Sequence, residues 1–314
     1  MLTYTKTRFH EVRIRLENHV PSTKLNALLW EFYLFVFKQA WACLFGGILL
    51  SLVLLTKWFW PAHTWLSRYD FLFLAALGIQ AFLLIFRMET VREARVILVF
   101  HIVGTLMELF KTNIGSWAYP ENSLFHIGHV PLFSGFMYAA VGSYLARTTR
   151  IVDMRYTRYP NKKVTAILAI LIYANFFTHH FMPDIRIVLF VFVAVAFGPT
   201  WVHFRPYRTF RRMPLLVGFG LVALFIWGAE NIGTFAAVWI YPNQRNGWQL
   251  VNFGKYGAWL LLMIISFILV SFVHPPRLPS TDEPETEPQP EMIRGKRTER
   301  PATHPKLSSR SQQQ

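Results

Sequence analysis

The sequence predicts an all-α, polytopic membrane bundle of about eight transmembrane helices. Three observations carry that prediction. Formally uncharged runs are long: 18 residues lie between Lys38 and Lys57, 20 between Lys163 and Asp184, and 21 between Lys255 and Arg277. Crossing a bilayer core takes roughly 20 apolar residues. Only 16% of the chain is charged, against about a quarter in soluble domains. The basic residues gather in alternate connections, as the positive-inside rule requires of a multi-pass protein.

The eight apolar segments fall near 36–56, 69–86, 93–114, 131–147, 164–182, 186–203, 214–238 and 255–273. Ahead of them, residues 1–27 are polar and form a cytoplasmic N-terminal segment rather than a cleaved signal peptide. Ser22 is the expected cap of an aromatic, interfacial lead-in, LLWEFYLFVFKQAW, that feeds the first helix. The third segment is apolar apart from Glu108 and Lys111, and the fourth opens on Pro131. The transmembrane domain spans 28–274. Residues 275–314 are rich in proline and charge, lack apolar periodicity and read as a disordered cytoplasmic tail.

Orientation follows from Lys and Arg. Lys6, Arg8, Arg13, Arg15 and Lys24 precede the first helix, and Arg87, Arg92 and Arg95 follow the second. Six basic residues from Arg147 to Lys163 follow the fourth, and four from Arg205 to Arg212 follow the sixth. The intervening connections hold few. Both termini therefore face the cytoplasm. The net charge of +15 is a topology signal, which excludes a nucleic-acid partner and leaves membrane lipid as the expected one. The single cysteine, Cys43, excludes an internal disulfide framework. Phosphate-loop, HExxH and GxSxG signatures are missing, so those enzyme classes are not supported.

The chain also repeats itself. Glu108, Trp117, Tyr119 and Pro120 match Glu230, Trp239, Tyr241 and Pro242 at a constant offset of 122. Third and seventh helices thus become equivalents in two four-helix halves, about 28–147 and 164–274. An even helix number per half makes this a parallel repeat about an axis along the membrane normal.

Two glutamates at matched depth are the leading candidates for chemistry. A charge inside the membrane costs about 2.5–3.5 kcal/mol on insertion scales and normally faces a bundle interior. Glu108 and Glu230 are expected to share an outward-half cavity as an acid/base pair, as cation ligands or as proton carriers. A purely structural alternative pairs Glu108 with Lys111 one turn on, and Glu230 with Asn231 or neighbouring backbone. His101 lies seven residues before Glu108 on the same face, with Gly104 and Thr105 between, and is expected to tune or relay protons. Expected ligand contacts are Lys111, Trp117, Tyr119, Asn175, His179, His180, Asn231, Trp239 and Tyr241. One of the adjacent His179 and His180 is expected to face inward, since consecutive helical residues point about 100° apart. With His126 and His129 they lie on one side, but their spacing fits no metal motif, and no metal or cofactor is assigned. Gly128, Gly135, Ala139 and Gly142 form a close helix–helix contact surface, with Ser134 and Tyr138 toward the cavity.

The blocks FHIVGTLMELFKTNIGSWAYPENSLFHIGHVPLFSGFMYAAVGSYLAR (100–147), NFFTHHFMPD (175–184), TWVHFRPYRTFRRMPLL (200–216) and FIWGAENIGTFAAVWIYPNQRNGWQ (225–249) closely resemble the YoaT-like family. The likeness covers about residues 28–277. It implies a multi-pass bacterial inner-membrane protein and supplies no reaction. A looser similarity to membrane carotenoid hydratases and cyclases runs through His101, Gly104, Glu108, Trp117, Tyr119, Gly128, Val130, Pro131 and Leu132, and implies an apolar, isoprenoid-type ligand. Two functions are therefore expected in rivalry. One is a membrane-embedded enzyme or binding protein for an apolar molecule. The other is a small cation- or proton-coupled transporter with the same glutamates as ion sites. Apolar inner halves of the third and seventh helices favour a one-sided pocket.

Overall fold

A computed structural model describes residues 21–61 and 64–279. The basic N-terminal residues Lys6 to Arg15 and the tail beyond 279 lie outside the described residues. Helix dominates: seven of the eight apolar segments each overlap one helix, and the first, 36–56, is divided between two.

The lead-in is itself a helix, α1 (Lys24–Ala42), capped by Thr23 rather than Ser22; the Thr23 hydroxyl accepts from Asn26 N–H at 3.2 Å. It bends 71° at Cys43 into α2 (Leu44–Phe59). One face of α1 stays uncovered: Leu25, Leu28 and Phe32 are each more than half exposed. Then come α3 (Arg68–Ile85), capped by Ser67, and α4 (Val91–Asn113), opened by a reciprocal Thr90/Glu93 capping box. A short hairpin, β1 (His126–Ile127) and β2 (Val130–Pro131), leads to α5 (Phe133–Ile151). Strand β3 (Arg155–Thr157), α6 (Lys162–Thr178), α7 (Arg186–Phe197), β4 (Trp201–Phe204) and β5 (Arg211–Pro214) follow. The last helices are α8 (Leu215–Phe235) and α9 (Gly254–Val273), separated by a 3-10 turn at Pro242–Gln244.

Among the described residues, three helices are long and apolar enough to cross a membrane: α3, α8 and α9, with the bent α1–α2 pair a fourth if it makes one span. Helix α4 is long but carries Arg92, Glu93, Arg95, Glu108 and Lys111. The sixth apolar segment runs to residue 203 in the sequence, but α7 stops at Phe197. Pro199 lacks the N–H a helix would use, and Trp201–Phe204 are β-formers.

The wholly helical expectation is corrected at the arginine-rich end. Strands β3, β4 and β5 form an antiparallel sheet, with Tyr156 opposite Val202 and Val202 opposite Met213. Backbone N–H and C=O groups need hydrogen-bond partners, and these two connections supply them to each other. Several arginines read as topology signals also have specific partners there. Arg150 pairs with buried Glu93 at 2.9 Å, and Arg211 with Glu31 at 2.6 Å. Arg147, wholly buried, donates to the Trp41 carbonyl at 2.9 Å. Burial pushes the neighbouring Glu89 carboxyl up, opposed by hydrogen bonds from Gln80 and Ser143 and the charge of Arg147.

Packing repeats between the halves. Helix α2 packs on α3 and α5, as α6 packs on α7 and α9; α4 packs on α5, as α8 packs on α9. Helices α5 and α9 meet in the middle. The core runs through Phe45, Phe100, Phe136, Phe219, Ile264 and Ile268.

At the opposite end, the start of α3 ties both halves together. Buried Asp70 accepts from Ser67 Oγ (2.6 Å), Ser123 Oγ (2.7 Å) and the N–H groups of Leu124 (3.0 Å) and Phe125 (2.9 Å). Arg68 donates to the Ala236 and Ala237 carbonyls, and Tyr69 to that of Val238 at 2.8 Å. Replacing Asp70 with Asn turns an amide NH₂ toward backbone donors. The expected cost is about 1–3 kcal/mol, read as a fall in thermal midpoint in detergent; an unchanged midpoint would contradict this role for Asp70.

Candidate functional site

Helices α4 and α8 end alike. Each stops in a left-handed residue, Gly115 (φ 71°) and Ala237 (φ 52°), 122 positions apart. Each then closes with the same two backbone bonds: Gly115 N–H to Thr112 O and Ser116 N–H to Lys111 O, against Ala237 N–H to Thr234 O and Val238 N–H to Gly233 O. The tyrosine eleven residues after each glutamate turns back to donate to it. Tyr119 OH reaches Glu108 Oε2 at 2.7 Å, and Tyr241 OH reaches Glu230 Oε1. The loops beyond the two helices join each other. Ala118 and Ile240, again 122 apart, exchange both backbone hydrogen bonds, at 3.0 and 2.9 Å. The Trp117 and Tyr241 rings meet edge to face at 6.1 Å.

The two carboxylates differ in what surrounds them. Glu108 also accepts from Trp117 Nε1 and Tyr138 OH, each at 2.7 Å, so three donors converge on it. Glu230 takes its second donor, Trp259 Nε1, from α9. Trp239, the counterpart of Trp117, instead lies over Gly233, where a Cβ would collide with its indole. Position 111 is the counterpart of 233 and carries lysine. The Lys111 side chain excludes an indole there, and Trp117 is left to turn to Glu108.

Beside these groups, between α4, α5, α6 and α9, lies a cavity of about 330 Å³. Its lining joins polar and aromatic groups, Lys111, Trp117, Tyr138, Glu230, Tyr241 and Trp259, to apolar ones, Ile172, Phe176, Leu261, Leu262 and Ile265. Asn175, His179, His180, Arg186 and Lys255 complete it. Lys111 Nζ donates to His180 Nε2 at 2.7 Å, and its ammonium lies 4.1 Å from the Phe176 ring centre. Lys255 Nζ lies 4.5 Å from the Tyr241 ring centre. Asn175 donates to Asp184 Oδ1 at 3.1 Å. Burial opposes ionisation of Asp184, but that bond, the Arg186 N–H and the Arg186 charge hold its carboxyl below the usual range. Burial, with the adjacent glutamate, pushes the phenols of Tyr119 and Tyr241 well up, which keeps them donors.

The expected residues separate into three groups. Glu230, Lys111, Trp117, Asn175, His179, His180 and Tyr241 line the cavity. Both histidines do so, not one, because α6 ends at Thr178 and the chain tightens through them. Glu108 and Tyr119 stand immediately behind, Glu108 screened by its donors Trp117 and Tyr138. His101, Asn231 and Trp239 do not line it. His101 packs 4.3 Å from the Phe136 ring, with Nδ1 buried and unpartnered. Asn231 ties Trp227 O to Val251 N–H. Lys111 bonds His180 rather than Glu108, and Asn231 bonds Trp227 and Val251 rather than Glu230. His126 and His129, on the β1–β2 turn, are exposed and away from the cavity. Sequence reasoning missed Arg186, Lys255 and Trp259. Lys255 and Trp259 lie four apart on one face of α9, which is the signal that would have found them.

Fold and site together define a mostly helical protein with membrane-length apolar helices and a buried polar cluster opening on one cavity. The chain belongs to the family described as Protein of unknown function (DUF817), which matches residues 31–267. It is 42% identical over 237 residues to Uncharacterized protein YoaT of Bacillus subtilis (strain 168), covering 76% of this chain and 89% of that protein. No solved structure matches. Neither description assigns a reaction or a ligand, and the similarity to carotenoid enzymes adds no support beyond the residues that carry it.

Proposed function

We propose that the protein is a multi-pass inner-membrane protein that holds an apolar small molecule in this cavity. Eight spans in two parallel repeats place both termini in the cytoplasm and the cavity in the outward half. Helices too charged or too short to qualify alone still carry exposed apolar belts. Ile102 and Leu106 on α4, Ile170 on α6, and Ile187 and Val195 on α7 are each more than half exposed. Such a belt needs lipid to cover it.

The observation that carries the ligand reading is the wall of the cavity: a glutamate, with its phenol and indole donors, shares it with aliphatic and aromatic side chains. Pockets for small molecules have this make-up, a largely apolar lining with a few placed polar groups. Glu230 is the group that meets the ligand and exchanges a proton with it. Glu108 is a positioning residue that fixes Trp117 and Tyr138. Phe100, Phe136, Ile264 and Ile268 are buried in one apolar core cluster, which favours a one-sided pocket over a transport path.

Mass spectrometry of the protein purified in mild detergent tests this. An apolar ligand should co-purify. Glu230→Gln should retain at least about tenfold less, a difference of about 1.4 kcal/mol, with helicity unchanged. Equal retention by the variant would overturn the assignment of Glu230.

A further inference from the structure

Charge in the cavity is unbalanced. Lys111 is 4% exposed, and its ammonium meets an imidazole nitrogen and a phenyl ring rather than a carboxylate. Lys255 rests on the Tyr241 ring. Neither lysine is ion-paired among the described residues. Arg186 adds a third cation, shared with Asp184 at 3.0 Å. Against them the lining offers one carboxylate, Glu230, whose two oxygens already accept from Tyr241 and Trp259. A buried ammonium without an anion costs free energy that a bound counter-charge returns. The cations gather at the ends of α4, α7 and α9, while Ile172, Leu261, Leu262 and Ile265 continue from them between α6 and α9. Cationic mouth and apolar slot form one cavity.

We propose that its ligand is an anionic amphiphile, whose phosphate or carboxylate head lies between Lys111, Lys255 and Arg186 and whose chain lies in the slot. The inference rests on the apolar-ligand reading above and adds the head-group chemistry. A strongly hydrated ammonium acts on such a head as a point charge, whereas Arg186 presents a planar fork.

The test uses the full chain in phosphatidylcholine nanodiscs, with tryptophan fluorescence reporting on Trp117 and Trp259. Dodecyl phosphate, dodecanol and inorganic phosphate are titrated separately. Dodecyl phosphate should bind at least about tenfold more tightly than either. Lys111→Met and Lys255→Met should each shrink its advantage over dodecanol, and Lys255→Arg should restore it. Equal binding of dodecanol and dodecyl phosphate would overturn the anionic head and leave the apolar reading standing. Equal binding of inorganic phosphate would keep the anion site, identify its source as a free anion and overturn the apolar slot. No binding of any probe would overturn both. If Lys111→Met does not fold, Arg186→Met, at a half-exposed position, gives the same reading.

Discussion

Glu108→Leu should be the most damaging single substitution at the loop end of the molecule. It removes the one acceptor shared by Trp117, Tyr119 and Tyr138. Each buried donor left unpaired costs about 1–3 kcal/mol, so the loss is of the order of several kcal/mol. That is a large part of the roughly 5–15 kcal/mol that holds a typical protein folded. Glu108→Gln should cost much less, because one amide oxygen still accepts and a phenol can rotate to accept from the NH₂. Thermal unfolding in detergent separates the two. Equal midpoints for Leu and Gln would show that the converging donors contribute nothing.

The second large effect is expected at Gly135. A Cβ there would sit 2.5 Å from Thr105 Oγ1 and 2.6 Å from both Nδ1 and the carbonyl oxygen of His101. The carbonyl belongs to the α4 backbone and has no rotamer to move into. Gly135→Val should therefore reach or exceed the upper end of the usual overpacking cost, about 1–3 kcal/mol. It should also displace Tyr138, one turn along, from Glu108, and so alter tryptophan emission from Trp117. Gly78 faces open space, and Gly78→Ala should instead stabilise its helix by roughly 0.5–1 kcal/mol. A Gly135→Val protein with native midpoint and emission would show that α4 and α5 are not so closely apposed.

These two effects concern parts of the site that differ in legibility. The Glu–Trp-x-Tyr-Pro repeat is visible as text, and its offset recurs in matching helix ends and in the Ala118–Ile240 bridge. The close approach at Gly135 was visible as small residues at helical spacing. Positions of individual side chains were not. Trp117 and Trp239 are the same letter at matched places, yet one donates to glutamate and the other covers a glycine, because Lys111 and Gly233 differ beneath them. Lys255 reads as the charge that opens the last apolar segment, and only the folded chain brings it beside Tyr241. The β3–β4–β5 sheet is hidden because two distant connections must meet before either has a partner. Asp70 reads as an ordinary first-turn acid, although its main partners lie more than fifty residues away.

Two matched motifs, 122 residues apart, meet at one place beside the cavity. Oxidative cross-linking of an Ala118→Cys/Ile240→Cys protein in a Cys43→Ser background tests it most directly. Residues that exchange both backbone bonds in an antiparallel pair have Cα atoms about 5.5 Å apart, within reach of a disulfide. After mild oxidation in native membranes and proteolysis between the halves, the fragments should migrate as one species and separate on reduction. A folded protein whose halves separate without reduction would contradict the account.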